Sequence, residues 1–157
     1  MKRYLLDTNM LLGFTRQATW ARWVHEKLDL GESATMVFTS VICRGELLAL
    51  AEKTGWGAKK RDAMVEVLNR FPTLDLNRDS ILNAYASFDA WTHGKNLPDP
   101  SRPPPPKPAV SMKQNDLWVA ATAIATSATL ITTDKDFEHL HGLWLDRFLV
   151  DQAGGRG

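Results

Sequence analysis

Short β-like runs alternate with helical periods along this chain, and that alternation constrains the fold more than any other feature. Parallel strands cannot be joined by a tight hairpin; they need a crossover of a dozen or more residues, usually a helix. The sequence supplies such units in series. Residues 3–6 read as a strand ending at Asp7-Thr8-Asn9, polar residues suited to starting a helix through Met10, Leu11 and Leu12. A helix is predicted over 20–28. A β-branched strand follows over 36–41, interrupted at Ser40 by a helix start that continues through Glu46 to Ala51. Gly55-Trp56-Gly57 marks a turn, and 59–70 is helical, with Ala63, Val67 and Phe71 on one face. A strand at 73–76 leads into a helix over about 79–91. The clearest helix is 115–126, where Leu117, Ala120, Ala121 and Ile124 have the spacing of a buried face. A strand at 128–132, a short helix at 136–140 and a strand at 143–150 close the series. The expected class is α/β: a Rossmann-like, mainly parallel central sheet flanked by helices, in one domain over residues 1–152. The glycine-rich residues 153–157 are expected to be a flexible tail.

Residues 97–110 are unlike the rest. Seven of the eight prolines lie there. Proline locks φ and lacks an amide donor, so this segment is expected to be an extended surface loop inside the domain rather than a core element. Composition adds few further constraints. A chain of 157 residues, 44% hydrophobic and 24% charged, can bury a core without disulfides, and its single cysteine excludes an internal bridge. Cys43 sits in an apolar run and reads as a small core residue rather than a reactive thiol. No basic-then-apolar leader opens the chain, and no apolar run approaches the roughly 18 residues of a membrane span, so the expected location is cytoplasmic.

The net charge of +1 does not announce a nucleic-acid binder, but the charge is uneven. Arg44, Lys53, Lys59, Lys60 and Arg61 face only two acids in residues 44–61. Lys95, Arg102, Lys107 and Lys113 face Asp99 alone in residues 92–115. Two basic patches on a mildly acidic body suit a phosphate-binding rim as well as they suit ordinary solvation.

The acids carry more. Asp7 ends the first strand, Glu46 lies in the first turns after the second, Asp116 opens the alanine-rich helix, and Asp134 follows the strand ending at Thr132. In a parallel α/β sheet, the C-terminal ends of strands and the N-termini of the following helices gather on one edge. Four acids distant in sequence are therefore expected to converge. Carboxylates that close repel one another unless they take up protons or bind cations. An all-oxygen set suits Mg²⁺ or Mn²⁺, and such an ion activates water and neutralises phosphoryl charge. Taken singly, each acid is better read as a helix cap or a solvated side chain.

Taken together, the motifs resemble those of PIN domains. Leu5-Leu6-Asp7-Thr8-Asn9-Met10 is similar to their opening motif. Ser40-Val41-Ile42-Cys43-Arg44-Gly45-Glu46-Leu47 is similar to the second, Asn115-Asp116-Leu117-Trp118-Val119-Ala120-Ala121 to the third, and Thr132-Thr133-Asp134-Lys135-Asp136-Phe137 to the fourth. They occur in the family's order and span the chain. The resemblance implies a PIN-like fold, with Asp7, Glu46, Asp116 and Asp134 as catalytic, metal-holding carboxylates for Mg²⁺ or Mn²⁺. Asn9 would orient the first aspartate or a water, with Thr8, Ser40 and Thr133 in the same supporting shell. Asp136 either helps hold a second ion or caps the helix before Phe137, and the cap is the preferred reading. The implied activity is endoribonuclease. The compact length further resembles VapC-type toxins of toxin–antitoxin pairs, which implies an antitoxin partner and a homodimer. Arg44, Lys53, Lys59, Lys60, Arg61, Arg102, Lys107 and Lys113 are then candidate RNA contacts. The proline-rich segment before Asp116 is longer than that region of the family usually is.

Other residues read more plainly. His139 and His141 are two apart and so fall on different helix faces, which disfavours a metal pair. Trp118 is expected in the core, and Trp20 and Trp23 are expected to pack rather than stack on bases. Two alternatives remain beside a toxin: a PIN nuclease of RNA processing, or a non-catalytic RNA-binding PIN protein. A phosphatase with Asp7 as nucleophile would want a second acid at position 9, which is Asn.

Overall fold

In a computed structural model, which describes residues 1–95 and 112–153, the chain forms a five-stranded sheet in the order β3-β2-β1-β4-β5, with every pairing parallel. The strands are β1 (Lys2–Leu6), β2 (Thr35–Ser40), β3 (Thr73–Leu74), β4 (Thr129–Thr132) and β5 (Arg147–Leu149). The helices are α1 (Thr8–Thr15), α2 (Thr19–Lys27), α3 (Val41–Lys53), α4 (Ala58–Arg70), α5 (Asp79–Thr92) and α6 (Gln114–Thr126), with a 3₁₀ helix at Lys135–Leu140. The predicted α/β class and its parallel sheet are therefore present. The proline-rich segment expected over 97–110 lies outside the described residues, as does most of the expected tail.

The order of the strands positions the site. From β1 the chain builds outward through β2 to β3, then crosses back to place β4 on the other side of β1. A crevice opens at the C-terminal ends of strands where the direction of winding reverses, here between β1 and β4. Leu5 and Leu6 of β1 pair with Leu130 and Ile131 of β4, and all four side chains are fully buried. Met10 and Leu11 of α1, Leu47 of α3, and Phe137 and Leu140 of the 3₁₀ helix complete this part of the core. Each such buried aliphatic contributes about 2 kcal/mol, so the sheet edge beneath the site is firmly held.

Several expected boundaries shift for local reasons. β3 stops at Leu74 rather than 76, because the Asp75 carboxylate accepts from the Asn77 amide and turns the chain. The apolar run 143–150 is strand only at Arg147–Leu149. Gly142, at φ 73°, donates to Leu145 O, and Leu143 and Trp144 lie in the resulting turn. On α4 the buried face is Met64, Val67 and Leu68, with Phe71 beyond it and Ala63 only partly covered. α6 buries more than one face. Val119, Thr122 and Ala123 are covered together with Leu117, Ala120 and Ala121, while Ile124 is half-buried. Trp118, expected in the core, is half-buried and stacks on Tyr85 of α5 at 3.8 Å between ring centroids. Trp20 and Trp23 do pack: Trp20 covers Gly13, and Trp23 stacks on Phe148. Among the described residues no helix is long and apolar enough to cross a membrane.

Candidate metal centre

At the β1–β4 crevice lies a cavity of about 420 Å³ lined by Asp7, Glu46, Asp116 and Asp134, the four acids singled out in the sequence. Asp7 directly follows β1 and is 8% exposed. Its Oδ1 accepts from the Met10 amide at 3.1 Å and caps α1, while its Oδ2 accepts from the Thr132 hydroxyl. The bland reading of this residue, a helix cap, and the functional one thus hold together: one carboxylate starts the helix and lines the cavity.

Asp134 follows β4. Its amide donates to Thr132 Oγ1 at 2.9 Å, and its own Oδ1 accepts from the Asp136 amide at 2.8 Å. The residue that caps the 3₁₀ helix is therefore Asp134, not Asp136. Asp136, freed of that duty, has a carboxylate oxygen within 4.8 Å of those of Asp116 and Asp134. The preferred cap reading of Asp136 is accordingly corrected. Glu46 reaches the cavity from the second turn of α3, and Thr8 donates to its Oε1 at 3.0 Å. Asn9 donates to Thr133 Oγ1 at 2.9 Å, tying the start of α1 to the loop after β4. Ser40 was expected in this shell, yet its hydroxyl accepts from the Ile42 amide and caps α3, and it does not line the cavity.

Thr132 was not singled out in the sequence. It is fully buried and touches both sides of the site, donating to Asp7 and accepting from Asp134. A buried hydroxyl at the end of a strand, one residue before a candidate ligand loop, was the signal available; its two partners become visible only when β1 and β4 are adjacent.

Electrostatics mark the cavity as short of positive charge. Burial raises the Asp7 carboxyl from 3.8 to about 6, reinforced by Asp134 and opposed by the bonds from Thr132 and Met10. Asp116 rises to about 6 as well, through burial and then repulsion from Asp134, Glu46 and Asp136, against the pull of Lys113. Cys43 lines the same cavity but is pushed up to about 12 by burial and Asp7, so it is a neutral thiol. Neither His139 nor His141 lines it, and His141 Nδ1 accepts from the Arg147 amide. Carboxylates alone therefore supply the charged donors, and such a set fits a hard divalent cation.

The basic residues divide. Lys113 lines the cavity, and Lys53 lines a groove that adjoins it. Arg61 is committed to Glu52 at 3.0 Å and to Trp56 O at 2.8 Å, and the Lys60 ammonium lies 4.1 Å over the Trp56 ring. Arg44 donates to Thr73 Oγ1, and Lys59 is exposed. Arg102 and Lys107 lie outside the described residues.

A parallel sheet whose switch-point crevice gathers four carboxylates defines an α/β protein with a candidate metal site. A family model for the PIN domain matches residues 4–143, and the chain belongs to that family. Three solved structures share the fold. VapBC2 from Rickettsia felis, bound to a DNA fragment from its promoter, has a TM-score of 0.72 at 21% identity, covering 95% of this chain and 99% of that one. VapBC-1 from nontypeable Haemophilus influenzae has a TM-score of 0.66 at 20% identity, covering 94% and 97%. VapBC-5 from Mycobacterium tuberculosis, of the VapBC family of toxin–antitoxin systems, has a TM-score of 0.58 at 22% identity, covering 96% and 100%. A search of curated proteins found no significant match.

Proposed function

We propose that this chain is a Mg²⁺- or Mn²⁺-dependent endoribonuclease, the toxin of a toxin–antitoxin pair. It would act in the cytoplasm as a homodimer, held in check by a cognate antitoxin. The observation that carries the reading is the convergence of the acids: Asp7, Glu46, Asp116 and Asp134 line one cavity, and Asp136 clusters with the last two. The toxin assignment draws on the VapBC likeness. Residues 1–152 would form the nuclease domain. Asp7, Glu46, Asp116 and Asp134 would hold the cation, with Asp136 at the outer side of the cluster. When bound, such an ion makes water more acidic and offsets charge on a phosphoryl oxygen.

The chain's own groups do the rest. Thr132 and Met10 fix both oxygens of Asp7, so its carboxylate is oriented before any ligand arrives. Thr8 fixes Oε1 of Glu46, so that Oε2 would be left to hold the cation, and a water attacking phosphorus would lose its proton to solvent. As the new O–P bond forms, the ribose oxygen leaves with its bonding pair and takes up a proton from solvent. Lys113 offers a cation to the polyanion beside the acids.

The test is cleavage of a labelled single-stranded RNA by purified protein, with and without Mg²⁺ or Mn²⁺, beside DNA of the same sequence. Cleavage of RNA that EDTA abolishes supports the reading. Undiminished cleavage by verified metal-free protein overturns the metal mechanism, and preferential DNA cleavage overturns the substrate.

A further inference from the structure

We propose that single-stranded RNA leaves the acid cluster along the exposed face of α3, with its backbone resting on Lys53. The proposal rests on the nuclease reading above and says where the strand runs. A groove of about 560 Å³ follows α3, and Thr8, Glu46 and Asn115 belong both to it and to the acid cavity, so the two are continuous. Ile42, Glu46, Ala49, Leu50 and Lys53 recur at helical spacing and form one stripe. Lys53 stands seven residues beyond Glu46, about 10 Å along the axis, which is the rise of about three stacked nucleotides.

Charge and shape both suit a polyanion. Among the described residues, Glu46 is the only acid lining the groove. Lys53 is exposed and has no ion-pair partner among the described residues. Lys113 stands at the acid cavity beside Asp116, so a cation is present at the cavity as well as in the groove. A strand crossing the metal-bound cluster would meet both. The apolar floor offers surface to ribose and base faces without reading a sequence. A Cβ at Gly45 would meet nothing within 4 Å, so the floor stays open there. The basic patch seen in the sequence around 59–61 is reduced by this geometry, since Lys60 lies over the Trp56 ring and Arg61 is engaged by Glu52 and Trp56 O, which leaves Lys59 exposed.

The experiment measures the affinity of a labelled 12-nucleotide RNA against salt, using Asp7→Asn protein as parent so that the probe survives. Added Lys53→Gln should weaken binding about three- to tenfold and flatten the salt slope by about 0.7, the loss of one single-strand phosphate contact. Added Gly45→Glu places a charge on the floor and should weaken binding tenfold or more, while Lys27→Gln, on α2 and in neither the groove nor the cavity, should leave it unchanged. Thermal melting confirms that each variant is folded. If the parent binds RNA and neither Lys53→Gln nor Gly45→Glu alters affinity or slope, the path is wrong although the nuclease reading stands. If Gly45→Glu converts a dimer to a monomer that binds RNA unchanged, a second copy of the chain covers this face and the proposal fails. If wild type cleaves no RNA and the parent binds none, the nuclease reading itself falls and takes the path with it.

Discussion

Asp7 serves the fold with one oxygen and the site with the other, and its environment makes its charge costly. The folded protein binds the Asp7 proton more tightly than the unfolded chain does. The contribution of Asp7 to metal-free stability should therefore be full below about pH 3.8 and be lost as pH rises through about 6. For this buried group the change is on the order of 3 kcal/mol at most. Asp7→Asn removes the ionisation but keeps a hydrogen-bonding side chain, so it should abolish cleavage while flattening that loss. Urea unfolding in EDTA at pH 5 and 7.5 checks this, and an identical pH dependence in both proteins would refute it. Asp116→Asn should likewise remove activity without unfolding the chain, and Asp136→Asn, at an exposed carboxylate, should cost less. Thr132→Val conserves volume but deletes the hydroxyl that joins Asp7 to Asp134. It should lower cleavage tenfold or more and weaken apparent Mn²⁺ affinity, read from metal titrations of activity. Lost activity with unchanged metal affinity would mean that Thr132 does not position the ligands.

Among the elements, α1 is the one on which packing and chemistry depend together. It begins at Asp7, carries Thr8 and Asn9, and is covered on its last turn by Trp20 of α2. A Cβ at Gly13 would stand 2.2 Å from Trp20 Cη2 and 2.6 Å from Cζ2, so the indole must move. Gly13→Ala therefore gains helix propensity but should still destabilise, by about 1–3 kcal/mol. Thermal denaturation checks this, and an unchanged or raised Tm would show that the α1–α2 contact yields without cost. Local sequence made α1, α3 and α6 legible, because a polar residue after a strand or a repeating apolar face is a property of neighbouring residues. It misjudged β5 and Trp118. An apolar run looks the same in a strand as in a turn held by Gly142, and the burial of Trp118 depends on how closely α5 lies against α6.

At the scale of the molecule, burial and mutual repulsion make the ionised acid crevice costly, and the proposed cation would offset that cost. A cation present at about 100 times its Kd would add about 2.7 kcal/mol, which for a domain this size raises Tm by about 5–10 °C. Mn²⁺ should raise the Tm of wild type by this order and that of Asp7→Asn by much less; equal shifts would place the metal elsewhere. The class of fold, the edge of the sheet where the acids gather and four of those acids were legible in the residues alone. Those follow from strand-helix alternation and from residues beside strand ends, both local matters. It took the packed chain to show that Thr132 bridges Asp7 and Asp134, that Asp134 rather than Asp136 caps the 3₁₀ helix, that Ser40 turns to α3, and that Arg61 is spent on Glu52. The physical reason is reach. A hydroxyl or guanidinium can bond any partner within about 3 Å, and which partners lie that near is set by the pairing of β1 with β4 and the packing of helices, across separations such as the 125 residues between Asp7 and Thr132.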